Sequence, residues 1–213
     1  MGLQRFAKYQ ELLRTGHCTP RMGFTGKAGD INIFSNRVRL AKAFQGIQLD
    51  SYSEPTTTGY NGFMRVFLVH SALECFLKLM YGKNQLDELN IVVPKYDADS
   101  VMQEFCTRDS KGLLYNFLHE RVNPKLQTKL HDIREGRCSN TAYISASIRH
   151  IFAHGELTAN ANKINPKQVG KICFVLSDHL LAVMDGEFTR KIDEYCTTKG
   201  LSVHSVEKTH QAV

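Results

Sequence analysis

No tryptophan occurs among the 213 residues of the chain. The sequence also lacks any run of about 18 apolar residues, so no segment is expected to span a membrane. Its first residues, MGLQRFAKYQELLRTG, contain neither an apolar stretch nor a small-residue cleavage site, which argues against a secretory signal peptide. We therefore expect a soluble, cytoplasmic protein without a membrane partner.

Motifs for metal ions, disulfides and bound nucleotides are missing as well. The six cysteines are scattered, with no C-x-x-C pair and no histidine at zinc-ligand spacing, which is typical of reduced thiols. The sequence contains no Gly-rich phosphate loop, no H-E-x-x-H pair and no Ser–His–Asp arrangement. No metal ion and no cofactor are therefore expected.

The residues that are present describe an ordinary globular chain. Hydrophobic residues make up 42% and charged residues 23%, and 12 Phe and 8 Tyr supply aromatic packing. A chain of this length can form one core and does not require two. The net charge of +6 is spread thinly, so it permits RNA, DNA or an anionic surface as partner without selecting among them.

Apolar residues recur mainly at helical spacing. This pattern predicts a core helix at residues 60–81, ended by Gly82, and a long helix at residues 166–196 that begins after an Asn165 cap. The Asp185-Gly186 pair predicts a bend in the second helix. Further helices are expected at residues 3–15, 35–46, 98–106, 111–120, 124–136 and 141–154.

Strand signal is limited to residues 90–93 and 30–34. The sequence thus predicts one all-α domain. Its expected organisation is an N-terminal region of helices and Gly/Thr-rich loops packing on the core at 1–59, a helical domain at 60–196 and a tail at 197–213.

One helix end carries residues suited to chemistry, in the sequence SNTAYISASIRHIFAHGEL. Gly155 is placed where a helix ends, and the negative end of the helix favours a protonated His154. Arg149 precedes His154 by five residues, so the two side chains point about 140° apart around the helix. A cleft that receives both must be completed by another element or by a second subunit.

These residue types suit the cleavage of RNA. The reaction needs a base for the ribose 2′-hydroxyl, an acid for the leaving oxygen and positive charge at the phosphate. A histidine can transfer the protons, and an arginine fork matches a phosphate.

The segment from Arg149 to His154 resembles the R-(polar)-x-x-x-H signature of HEPN domains, small all-helical modules. His150 fits the family's preference for a polar residue after the arginine. The upstream segment FLVHSALECFLKLMYG is similar to the family's amphipathic helix, with Glu74 and Lys78 in the E-x-x-x-K arrangement of some members. The resemblance covers residues 60–196 and implies an antiparallel helical bundle, here with an N-terminal helical extension.

The resemblance also implies a function. HEPN-like proteins of toxin or antiviral-defence type are metal-independent endoribonucleases that act as homodimers and leave 2′,3′-cyclic phosphates. Arg149 would bind the scissile phosphate, His154 would transfer a proton and His150 would orient or assist. Asn140 and Tyr143, one or two turns earlier, are candidate RNA contacts, and Glu74 and Lys78 would support the site.

Other interpretations remain open. Arg65 and His70 have the same spacing, so the spacing alone is not specific. The structural alternatives are a solvated helix arginine or an ion pair with Glu156 for Arg149, and a C-terminal capping histidine for His154. For Glu74 the preferred interpretation is a salt bridge with Lys78. A HEPN-like module that binds RNA, an antitoxin or a nucleotidyltransferase without cutting is the alternative function, and a helical interaction protein whose groove is buried in a dimer is another.

Overall fold

The computed structural model describes residues 2–160 and 163–203, which form α-helices, loops and short 3₁₀ turns without a strand. The all-α class is therefore confirmed. None of the described helices is long and apolar enough to cross a membrane. The eight α-helices are α1 (Phe6–Arg14), α2 (Ala28–Ala43), α3 (Glu54–Tyr81), α4 (Ala98–Arg108), α5 (Leu113–Arg121), α6 (Pro124–Arg134), α7 (Ala142–Ala153) and α8 (Pro166–Thr198).

Side-chain caps define where the two long helices begin. The Ser53 hydroxyl accepts a hydrogen bond from the Thr56 amide at 3.4 Å, so α3 starts before the predicted residue 60. Asn165 caps α8 as predicted, and its side-chain oxygen accepts from the Lys167 amide at 3.0 Å. Residue 59, where the sequence placed a boundary, lies inside α3.

Both strand predictions are wrong. Residues 30–34 belong to α2, where Asp30 accepts a hydrogen bond from the Lys27 amide at 2.7 Å and so stabilises the helix start. Residues 90–93 fall in and between two 3₁₀ turns. In each segment part of a short apolar run packs on a helical core, and the described residues contain no strand with which it could pair.

The predicted bend at Asp185-Gly186 is also absent, because α8 continues through it to Thr198. A side chain at Gly186 would collide with the ring of Tyr96, which lies on the helix at this point. This glycine therefore serves close packing rather than a helix break.

The two longest helices, α3 and α8, form the centre of the molecule and run parallel. A Cβ atom on Gly62 would lie 2.8 Å from the Cα of Gly170, and further along both helices Arg65 pairs with Asp178 at 2.5 Å. This parallel pair differs from the antiparallel bundle that the resemblance predicts. It arises because α4 to α7 return the chain to the start of α3 before α8 begins. Helices α2 and α7 do pack antiparallel to α3, as the contacts of Phe34 with Phe76 and of Phe152 with Phe63 show.

Two apolar clusters share the long helices. The first joins α1 and α2 to the C-terminal halves of α3 and α8, and includes the fully buried Phe34, Phe76 and Phe188. The second joins the N-terminal halves of α3 and α8 to α4 through α7. The N-terminal region thus contributes one of the two cores, and each such buried phenylalanine stabilises the fold by about 1.5–3 kcal/mol.

Candidate functional site

The candidate site lies at the C-terminal end of α7. Gly155 adopts a φ of +77°, a left-handed conformation that glycine reaches without strain. Its amide donates to the Phe152 carbonyl at 3.0 Å, and the Glu156 amide donates to the Ile151 carbonyl at 3.1 Å. This pair of bonds is a Schellman motif, so the predicted helix end at Gly155 is confirmed and His154 occupies the C-cap.

His150 and His154 form an edge-to-face pair on the last turn. Their ring centroids are 4.5 Å apart, with an angle of 66° between the ring planes. His154 is exposed and His150 is half-buried. Because residues four apart lie on the same helix face, one imidazole limits the orientation of the other. The structure therefore brings together two of the three predicted catalytic residues.

Arg149 points away from this pair, toward α3. Its Nη2 atom lies 3.6 Å from Oε1 of Glu74, and its guanidinium carbon lies 5.9 Å from the ring centroid of Phe67. About a third of each charged side chain is exposed, 37% for Arg149 and 34% for Glu74. The arginine is thus held on the surface between a carboxylate and an exposed aromatic ring, and it does not pair with Glu156.

His70, a buried residue of α3, lies next to the Arg149–Glu74 ion pair. Its Nε2 atom is 3.9 Å from Glu74, and its Nδ1 atom is 3.5 Å from the hydroxyl of Ser145 on α7. Burial, and next the charge of Arg149, lower the pKa of His70 to about 4. A neutral His70 therefore links α3 to α7 directly under the candidate site.

This lowered pKa makes stability depend on pH. Well above pH 6.5, the ordinary pKa of histidine, His70 is neutral in both the folded and the unfolded state. As the pH falls from 6.5 toward 4, the unfolded chain takes up a proton that the folded chain resists. The free energy of unfolding should fall in this window by up to about 3 kcal/mol because of His70 alone. Urea unfolding of wild type and His70→Gln, followed by circular dichroism at pH 7, 5.5 and 4.5, measures this contribution. Parallel pH curves for the two proteins would contradict it.

The two residues predicted to support the site lie in different surroundings. Within residues 2–160 and 163–203, the cation at ion-pair distance from Glu74 is Arg149, and the neutral His70 lies 3.9 Å away, so the predicted salt bridge with Lys78 does not form. Lys78 is exposed and lines a cleft against α2 with Asp30 and Ile33. Glu74 is therefore part of the site, whereas Lys78 is not.

Asn140 and Tyr143, predicted to contact RNA, lie inside the protein. Asn140 is fully buried, and its amide nitrogen donates to the Leu86 carbonyl and to Asn90, both at 2.9 Å. The Tyr143 hydroxyl donates to Asp87 at 2.5 Å, and only 3% of the residue is exposed. The loop after α3 covers this part of α7, so neither side chain is accessible for a contact with RNA.

Asp87 is the centre of this structural network. It accepts hydrogen bonds from Tyr143 and from Lys129 of α6, the latter at 2.9 Å, and these bonds lower its pKa to about 2. Burial, followed by the carboxylate of Asp87, raises the pKa of Tyr143. The network fixes the start of α7 and thereby the direction in which its C-terminal end points.

Sequence reasoning missed Phe67 and the placement of Glu74 next to Arg149. Phe67 is 37% exposed, although it belongs to an apolar stripe that predicts burial. No sequence signal identifies it, because the α3–α7 contact joins residues that are far apart in the chain. His70, by contrast, belongs to the core helix that the sequence predicts at residues 60–81, and it is buried.

Among the residues that the structure describes, no cluster of three or more His, Cys, Asp or Glu side chains is arranged to hold a metal ion. Comparison of the chain with models of known protein families, with curated proteins and with solved structures found no match.

Proposed function

We propose that this protein is a HEPN-like endoribonuclease that cuts RNA as a homodimer without a metal ion. The observation that carries the proposal is one helix end that presents an accessible arginine together with a pair of imidazoles. Arg149 is partly exposed, His154 is exposed, and the ring centroids of His150 and His154 are 4.5 Å apart. These are the groups that RNA transesterification requires.

The reaction assigns a role to each side chain. A base removes the proton of the 2′-hydroxyl, the freed oxygen bonds to phosphorus, and the bond to the 5′-oxygen breaks. An acid returns a proton to the leaving oxygen, so the products are a 2′,3′-cyclic phosphate and a 5′-hydroxyl. His154 transfers a proton, His150 orients it through the edge contact, and Arg149 stabilises the charge that develops on the phosphate.

The ion pair with Glu74 is compatible with this role. A guanidinium group has five N–H donors, and a single contact at 3.6 Å leaves most of them available. A phosphate can accept two hydrogen bonds from the guanidinium group at once, whereas Glu74 makes only one long contact with it. Phosphate therefore competes with Glu74 for an arginine that is already oriented.

A dimer follows from the direction of the side chains. Arg149 contacts α3, whereas His154 lies on the helix face of His150. One copy of α7 does not direct both groups at a single phosphate. Two copies facing each other can supply the arginine and the histidine from opposite sides.

A direct test is incubation of the purified full chain with labelled single-stranded RNA in EDTA. We expect fragments that end in 2′,3′-cyclic phosphate, formed at protein concentrations at which light scattering gives the mass of a dimer. RNA that stays intact at micromolar protein concentration, or a monomeric mass under the conditions of cleavage, would contradict the proposal.

A specific observation also favours the alternative of a non-catalytic binding module. Glu74 partly neutralises Arg149, and Phe67 next to it is exposed, a combination of arginine and aromatic ring that is common in protein interfaces. A partner such as an antitoxin or a nucleotidyltransferase would then cover the α3–α7 surface. Salt-dependent binding of RNA or of a partner without any cleavage would support this function.

A further inference from the structure

A cavity of about 430 Å³ opens between α4, α5, α6 and α7, away from the Arg149–His154 site. Its volume falls within the range of small-molecule sites, which is roughly 300–1,000 Å³. The floor is apolar and consists of buried side chains from three helices, namely Phe105, Leu130, Ile133 and Ile144. Such a floor favours a ligand with an apolar body.

The charged side chains of the cavity are Asp109, Lys111 and Arg134. Asp109 is committed to the protein, because its two oxygens accept hydrogen bonds from the amides of Leu114 and Tyr115 at 3.0 and 2.8 Å. These amides form the positive N-terminal end of α5, which offsets the carboxylate charge. The cavity therefore keeps a net positive charge, and the charged groups with hydrogen-bonding capacity left for a ligand are the two cations.

Arg134 is oriented at the rim without being neutralised. Its guanidinium carbon lies 4.8 Å from the ring centroid of Tyr115, and it donates a hydrogen bond to Asn116 at 3.4 Å. Within the described part of the chain, no carboxylate lies within ion-pair distance of Arg134 or Lys111. Both cations thus keep donors for an anion.

We propose that this cavity binds a small amphipathic carboxylate, with its acyl or aromatic body on the apolar floor and its carboxylate at Arg134 and Lys111. The floor disfavours a polyanion such as RNA, because phosphates do not bind to apolar surface. The two cations disfavour an amine of the same shape. The site does not depend on the proposed ribonuclease activity.

Octanoate is a suitable probe, and its binding to the full chain can be measured by isothermal titration calorimetry. We expect one site per chain and displacement of 8-anilinonaphthalene-1-sulfonate, an aromatic anion, from the same site. Octylamine should bind at least about tenfold more weakly than octanoate, since its head group meets two positive charges instead of being paired by them.

Two variants identify the site. Arg134→Gln should weaken octanoate binding by about tenfold. Cys106→Trp should abolish it, because Cys106 lines the cavity and is exposed, so a large side chain there fills the opening without disturbing the core. Arg39→Gln is the matched control, since Arg39 is also an exposed arginine that donates to an asparagine, at 3.2 Å to Asn36, but it lies on α2.

Unchanged octanoate affinity in both cavity variants would overturn the proposal, as would equal binding of octanoate and octylamine. No octanoate binding at millimolar concentration would overturn it too. Circular dichroism and thermal unfolding of each variant confirm that the fold is retained before binding is compared.

Discussion

Gly170→Val should lower the free energy of unfolding by about 3–5 kcal/mol and the melting temperature by roughly 10 °C. A Cβ atom on Gly170 would lie 2.5 Å from the backbone carbonyl oxygen of Thr58 and 2.9 Å from its carbon. No rotamer change can relieve a collision with backbone, so α3 and α8 must separate. Because both cores are built on these two helices, the loss spreads to the whole molecule. Thermal and urea unfolding followed by circular dichroism measure the effect.

The matched control for this prediction is Gly29→Val. Gly29 also lies in a helix, but a Cβ atom there would meet no heavy atom within 4 Å. We expect a change of less than about 0.5 kcal/mol, since the added side chain remains in solvent. Equal stabilities of the two variants would show that α3 and α8 do not approach each other as closely as described.

Arg149→Ala should lower the rate of RNA cleavage by about 10²–10³-fold, the usual cost of removing a group that stabilises transition-state charge. Arg149→Lys should recover only part of the activity, because an ammonium group does not form the paired hydrogen bonds of a guanidinium. His154→Ala should cost a similar factor, and the double variant should lose less than the product of the two. Single-turnover cleavage of labelled RNA in EDTA provides the rates.

Arg65→Ala is the control for this prediction. Arg65 and His70 have the same spacing as Arg149 and His154, but Arg65 pairs with Asp178 at 2.5 Å and lies 5.4 Å from the ring of Phe174. It serves the α3–α8 contact, so the variant should lose some stability and keep its rate of cleavage below the melting temperature. A loss of activity equal to that of Arg149→Ala would mean that cleavage does not depend on the α7 end.

Local sequence signals predict much of this fold. Asn165 before Pro166, and Gly155 after an apolar face, mark helix ends through hydrogen bonds that are made within a few residues. The strand prediction at residues 30–34 is wrong because a short apolar run does not by itself indicate whether the segment forms a strand or a helix. The hydrogen bond from the Lys27 amide to the Asp30 side chain stabilises a helix start here and so favours the helix.

Features that join distant parts of the chain could not be predicted in this way. Glu74 and Arg149 meet only because α3 and α7 pack together, and nothing in the spacing of either segment indicates it. Asn140 and Tyr143 are polar residues near a candidate site, yet the loop after α3 covers them. For the site itself, the His150–His154 contact follows from a separation of four residues on a helix, whereas the direction of Arg149 is set by its tertiary partners.

The parallel course of α3 and α8 has a consequence for biosynthesis. Gly62 and Gly170 touch in the finished protein, but a ribosome adding about 5–20 residues per second needs roughly 5–20 s to progress from one to the other. During that time α3 has emerged without the helix that covers it, although α2 is already available. The nascent chain therefore keeps this apolar surface of α3 exposed until α8 has been synthesised, and the docking of α8 on α3 completes both cores.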